Sequence, residues 1–263
     1  LRNLRDPKEG KDMLVDIPLQ GPKSRDILLA LGCNEVDLEN ILDLKRTQLC
    51  EATVGDIPMV VSRTGYTGEN MAFELFVHPE NAGALWKKLV EVGTPMGLMP
   101  CGLAARDSLR TESGLPLYGH EMGGELGYGV SEAGFGSYVK VFKPWFIGRS
   151  AYIAKEAERK GIVVRFRFNE KGIRMAHLGD PVLIRKGQVV GTVTSCAIDS
   201  DGYLTGQAFV NTKAAGEGNI IFIYPSAERD PGGKLGELKI GDRAIIPSPA
   251  TILRRFPKPK KIK

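Results

Sequence analysis

Apolar and polar positions divide the chain into segments of two textures. Residues 13–20 (MLVDIPLQ) alternate as a strand does, and Gly21-Pro22 then open a stretch whose Ile27, Leu28 and Leu31 share one helical face. Residues 47–54 and 57–64 are rich in Thr, Val and Ile and meet at Gly55-Asp56, which predicts a β-hairpin. Residues 72–77 (AFELFV) predict a further strand. Pro79 suits the first position of a helix in which Leu85, Leu89 and Val92 repeat at helical spacing. A further helix is expected near 99–113. The order β-α-(α)-β-β-β-α predicts an α+β region, a mostly antiparallel sheet with helices on one face.

Beyond residue 113 the pattern changes. Residues 114–137 carry seven glycines between Gly119 and Gly136 and predict an ordered surface loop of functional length. A short helix is expected in IGRSAYIAKEAERK (147–160). From about 162, short apolar strands recur at roughly ten-residue spacing: GIVVRFRF, DPVLIRKGQVVGTVTSCAI, YLTGQAFV and NIIFIYP. Asp199–Gly202 and Gly216–Gly218 supply turn chemistry between them. Such spacing predicts a C-terminal antiparallel β-barrel. The expected division is therefore residues 1–158 and residues 159–263.

Composition narrows the function classes. At 42% hydrophobic and 25% charged residues, the 263-residue chain is that of an ordinary globular protein. No apolar run approaches the ~20 residues of a membrane span. Cys33, Cys50, Cys101 and Cys196 are widely spaced, as are His78, His120 and His177, so neither zinc nor a disulfide framework is expected. Much of the +5 formal charge sits in Arg254, Arg255, Lys258, Lys260, Lys261 and Lys263, which read as a solvated tail. Without interleaved aromatics, a nucleic-acid partner is not expected.

Two constellations carry candidate chemistry. In Arg63-Thr-Gly-Tyr-Thr-Gly-Glu69, two glycines bracket Tyr66 and Thr67, so the backbone can turn sharply and present the tyrosine. The glutamates that follow, Glu69 and Glu74, can point into the same space. In residues 102–120, Arg106 and Arg110 lie four apart on a helix with Asp107 between them. That pattern serves either to hold an anion or as an internal salt bridge worth tenths of a kcal/mol if exposed.

Taken in order, PLQGPKS (18–24), GYTGE (65–69), GLAARDSLR (102–110), LPLYGHE (115–121), FIGRSA (146–151), GDPVL (179–183) and VGTVTSC (190–196) resemble the glycine cleavage T-protein (aminomethyltransferase) family. The resemblance runs from about residue 14 to 224. It implies a ferredoxin-like, folate-binding α+β domain followed by the barrel, in a monomer of the cytoplasm or, in a eukaryote, the mitochondrial matrix. It implies tetrahydrofolate as cofactor and the lipoyl-bearing H-protein as partner, with an aminomethyl-derived one-carbon unit transferred and ammonia released. Tyr66, Glu74 and Arg106 match the positions that line the family's folate pocket. Glu74 falls one residue later than usual, which reads as an insertion in the turn, with Glu69 as the fallback.

A pterin presents amino and ring N–H donors that a carboxylate accepts in bidentate fashion, and tyrosine offers a flat face and a hydroxyl. In the family, roughly a third of the protein precedes the LQGP motif and supplies a catalytic aspartate. Here about 17 residues precede it, and Asp6, Asp12 and Asp16 do not match that context. The expectation is a middle and C-terminal part that lacks the catalytic segment and does not complete the reaction alone. The departing C-terminal text gives no folate role to Arg254 or Arg255. Two other activities share the scaffold, a folate-dependent demethylase and a non-catalytic folate-binding or assembly protein. The glycine-rich loop departs from the usual T-protein text and keeps the first open. The second usually carries a cysteine-containing motif near the barrel; Cys196 stands where a glycine or similar residue is common, in a context that does not otherwise match it.

Overall fold

A computed structural model describes residues 2–185, 187–225 and 247–257. Lys258, Lys260, Lys261 and Lys263 of the basic tail lie outside the described residues. The chain forms two compact units, Leu1–Leu103 and Ala104–Lys263.

The first unit runs β1 (Val15–Gln20), α1 (Ser24–Ala30), α2 (Glu35–Asp43), β2 (Leu49–Val54), β3 (Ile57–Ser62), β4 (Ala72–Val77) and α3 (Pro79–Gly93). Its strands form one antiparallel sheet in the order β1-β4-β3-β2. Strand residues alternate between faces, so paired residues fall on the same side. Ile17 and Leu19, Ile57, Met59 and Val61, and Phe73, Leu75 and Val77 are buried on one side with Leu28, Leu85 and Leu89 of the helices. Gln20, Ser62 and Glu74 project from the other side. The hairpin forms at Gly55-Asp56, both with positive φ (57° and 63°), as a two-residue turn matching strand twist requires. Its strands stop short of the expected 47–54 and 57–64, because Thr47 leaves extended geometry (φ 72°). The bonds from Thr47 N to Arg63 O (3.1 Å) and from Arg63 N to Gln48 O (2.8 Å) persist past the strand ends.

The second unit holds α4 (Leu103–Glu112, starting at the last residue of the first unit), α5 (Arg149–Glu158) and six strands: β5 (Gly161–Phe168), β6 (Pro181–Leu183), β7 (Val189–Ile198), β8 (Leu204–Asn211), β9 (Ile220–Ile223) and β10 (Ser248–Leu253). These close into an antiparallel barrel, β10-β5-β8-β7-β6-β9. Its core is built on Phe166, Phe168, Val193, Val210, Ile221, Ile223 and Ile252. The expected helix near 99–113 begins later, at Leu103, just after Pro100. Residues 114–137 form a chain of turns. A bulge in β7, between Val193 and Ser195, makes Val193, Thr194 and Ser195 buried in succession. It turns Ser195 to the side that strict alternation would deny it.

Candidate functional site

In the first unit the site is built where β1 ends and β4 begins. Gln20 is the last residue of β1 and pairs with Ala72. Its side-chain oxygen accepts from the Tyr66 backbone N–H (3.2 Å) and from the Thr67 hydroxyl (2.7 Å). The β3–β4 turn is thereby fixed to the neighbouring strand at the tyrosine. Gly65 is needed for that approach: a Cβ there would lie 2.5 Å from Ala72 Cβ and 2.8 Å from Gln20 Oε1.

Glu74 stands two residues along β4, on the same face as Gln20 and diagonal to it. The Thr64 hydroxyl donates to its Oε2. Thr64 Oγ1 also lies 3.0 Å from Ser62 Oγ. Thr64 has only one hydroxyl proton, already given to Glu74, so Ser62 donates to Thr64. A relay Ser62–Thr64–Glu74 therefore fixes one carboxylate oxygen of a half-buried side chain, and Oε1 has no partner among the described residues. Glu69, the fallback, is exposed in the turn. Tyr66 and Glu74 are thus brought to one end of one sheet face.

Arg106 belongs to the second unit and is exposed on α4. Of the two readings of the Arg106–Arg110 pattern, the structure shows the internal salt bridge, between Asp107 and Arg110. Arg110 is only 2% exposed and its guanidinium is engaged inside the protein. It donates to Asp107 Oδ1 (Nε, 2.7 Å), to Glu121 Oε2 (2.8 Å), to Leu115 O (3.3 Å) and to Ser195 Oγ (2.8 Å). Five donors in a fixed fork leave little for a ligand.

Glu121 is fully buried. Besides Arg110 it accepts the Leu117 N–H (2.8 Å) and the Ser195 hydroxyl (2.6 Å). The carboxylate is buried only because it is paired and fully hydrogen-bonded. This cluster organises the glycine-rich loop. Gln207 Nε2 holds Leu115 O at 2.8 Å, Arg255 donates to Gly114 O and to Ala133 O (3.1 Å), and Tyr128 stacks on Phe209 with centroids 4.3 Å apart. Arg255 thus has a structural part in clasping both ends of the loop. Among the described residues no group of His, Cys, Asp and Glu is arranged to hold a metal, and the four cysteines are free. Burial pushes the Cys196 thiol up to about 11, opposed in part by a hydrogen bond with the Ala176 backbone.

Comparison with known proteins places these arrangements. A family model described as the GCVT N-terminal domain matches residues 7–143. The chain belongs to the aminomethyltransferase family. It is 42% identical over 193 residues to an aminomethyltransferase of Streptomyces avermitilis, covering 72% of this chain and 50% of that protein. It is 38% identical over 217 residues to one of Alkaliphilus metalliredigens, covering 79% and 54%. The chain therefore spans about half the length of these curated relatives. The crystal structure of glycine cleavage system aminomethyltransferase T from Bartonella henselae shares the fold, with a TM-score of 0.71 over 92% of this chain and 59% of that one at 23% identity.

Family membership agrees with the resemblance carried by the motifs. Sequence reasoning gave no role to Gln20, Thr64, Glu121 or Ser195. Each lies in or beside a quoted motif, yet no spacing rule shows that Gln20 would grip a turn 46 residues away. The re-aiming of Ser195 depends on a β-bulge, which side-chain patterning does not reveal.

Proposed function

We propose that the chain provides the folate-facing part of a one-carbon transferase of the glycine cleavage T-protein kind. On this reading Tyr66, Glu74 and Arg106 contact tetrahydrofolate, and the aminomethyl group arrives on the lipoyl arm of an H-protein, with ammonia released. The carrying observation is Glu74: a half-buried carboxylate with Oε2 fixed by Thr64 and Oε1 open, beside a tyrosine fixed by Gln20. That carboxylate acceptor fits a pterin edge, whose amino and ring N–H groups donate and need a paired acceptor. Bound there, the cofactor would supply the nitrogens that accept the one-carbon unit. The protein's own contribution would be to hold Glu74 through Thr64, present the Tyr66 ring and supply the positive charge of Arg106.

The functional division that goes with this reading is a folate-binding region over residues 1–158, which contains all three side chains, and a barrel domain over 159–263. The family match over 7–143 lies within the first of these regions. On the same reading the protein would act as a monomer in the cytoplasm, or in the mitochondrial matrix of a eukaryote.

The test is ammonia release from aminomethylated H-protein in the presence of tetrahydrofolate, measured with this chain and with the chain extended to the length of its relatives. Tetrahydrofolate-dependent ammonia release by either form supports the reading. Methyl transfer from a small methylated compound with no ammonia would favour the demethylase.

A further inference from the structure

The loop after α4 places a histidine beside the buried cluster. Gly119 adopts φ 96°, and the Gly119 N–H bonds to Met122 O at 2.7 Å, closing a tight bend. The His120 and Glu121 N–H groups both bond to Leu117 O at 3.1 Å. The bend sends Glu121 inward to Arg110 and sets the half-buried His120 ring with Nδ1 3.4 Å from Ser195 Oγ.

The donor inventory fixes the imidazole's tautomer. Ser195 has one hydroxyl proton, given to Glu121 Oε1 at 2.6 Å, and its oxygen also accepts from Arg110 at 2.8 Å. Towards His120, Oγ can therefore only accept. Nδ1 must carry the proton, and in the neutral ring the lone pair lies on Nε2. Nε2 has no partner among the described residues. Two residues earlier in the loop, Tyr118 is 79% exposed, its ring resting on Gly123, where a Cβ would come within 2.5 Å of the ring. An oriented acceptor with an open lone pair suits a ligand with an N–H group.

We propose that His120 Nε2 accepts a hydrogen bond from a ligand N–H, with Ser195 and Glu121 as positioning residues that hold its tautomer. This rests on the folate-dependent reading for the identity of the ligand, which would offer either a ring N–H of tetrahydrofolate or the ammonium of the aminomethyl group. The anchoring of the ring stands apart from that reading.

The experiment is nitrogen-detected NMR of protein labelled at its three histidines, with the His120 signals assigned by their loss in His120→Gln. The expected ligand-free spectrum shows His120 protonated at Nδ1 and bare at Nε2, and Ser195→Ala shifts it towards a mixture of tautomers. Tetrahydrofolate and methylammonium are then added separately. A move of the Nε2 resonance with the first identifies a ring N–H donor, and with the second an ammonium. His120→Asn keeps an amide near Nδ1 and should weaken the responding ligand by about tenfold, whereas His120→Gln, with its amide near Nε2, should stay within about threefold. A purely structural histidine would show the reverse order, measured as thermal stability rather than affinity. A ligand-free spectrum with the proton on Nε2 overturns the inference. So does an Nε2 resonance that neither probe moves. If tetrahydrofolate fails to bind while methylammonium moves Nε2, the inference holds and the folate reading fails.

Discussion

A single methyl group on Gly65 should damage both stability and ligand binding in the first unit. The added Cβ would lie 2.5 Å from Ala72 Cβ and 2.8 Å from Gln20 Oε1. Ala72 is held by its pairing with Gln20, so the first contact cannot be relieved without moving a strand. The second can be relieved by rotating Gln20, which breaks its bonds to Tyr66 N and Thr67 Oγ1. Two lost hydrogen bonds cost about 2 kcal/mol, and overpacking adds about 1 kcal/mol or more. Reduced freedom of the unfolded chain returns about 0.5–1 kcal/mol, leaving Gly65→Ala destabilised by about 2 kcal/mol.

Urea unfolding followed by Trp86 fluorescence reads this, with Trp145→Phe as background so that only the first unit reports. Ala72→Gly should recover part of the loss when combined with Gly65→Ala, because it removes the nearer contact. A Gly65→Ala protein within about 0.5 kcal/mol of its parent, with no recovery in the double variant, would refute the description of the turn.

Other consequences can be checked separately. Glu121→Ala leaves the buried Arg110 with Asp107 as its one remaining carboxylate partner and takes the acceptor from the Leu117 N–H and the Ser195 hydroxyl, and should cost about 3 kcal/mol in thermal or urea unfolding of the second unit. Gly114→Ala should be as damaging, since a Cβ would sit 2.1 Å from Arg255 O at a residue with φ 74°; circular dichroism melting reads the loss. Cys101, the exposed thiol, should react first with a disulfide reagent at pH 8, and Cys196, pushed up to about 11, slowest, unless unfolding precedes modification. That raised pKa also sets a pH dependence. The contribution is intact below the ordinary thiol pKa and is lost as pH climbs from about 9 towards 11, so stability should fall over that window more in the parent than in Cys196→Ser.

Much of this architecture could be read from local pattern. Alternation in 72–77 and the helical spacing of Leu85 and Leu89 each encode a period that burial then enforces, and Gly55-Asp56 encodes its turn through tolerance of positive φ. The closure of the barrel was harder to see. Its last strand, β10, contains Pro249 and follows a stretch without alternation, so its pairing with β5 and β9 depends on partners 82–88 and 25–31 residues distant in sequence.

The site divided in the same way. Tyr66 and Glu74 could be proposed from motif and chemistry, because both come from one short segment. The inward turn of Arg110 could not, since it depends on Glu121 across the loop and on Ser195 at a bulge. Helical spacing alone put Arg106 and Arg110 on one face, and only the buried carboxylate shows that one serves the interior while the other remains exposed.

The most direct test of the folate-facing assignment is calorimetric titration of tetrahydrofolate into the parent chain and Glu74→Ala side by side. The parent should bind, and the alanine variant should bind at least tenfold more weakly while losing no more than about 1.5 kcal/mol of stability with the Thr64 bond, because a charge-assisted pair of hydrogen bonds is worth about 1.5–3 kcal/mol. Equal affinities for the two proteins would contradict the assignment of Glu74, and no binding by the parent would contradict the folate reading of this chain.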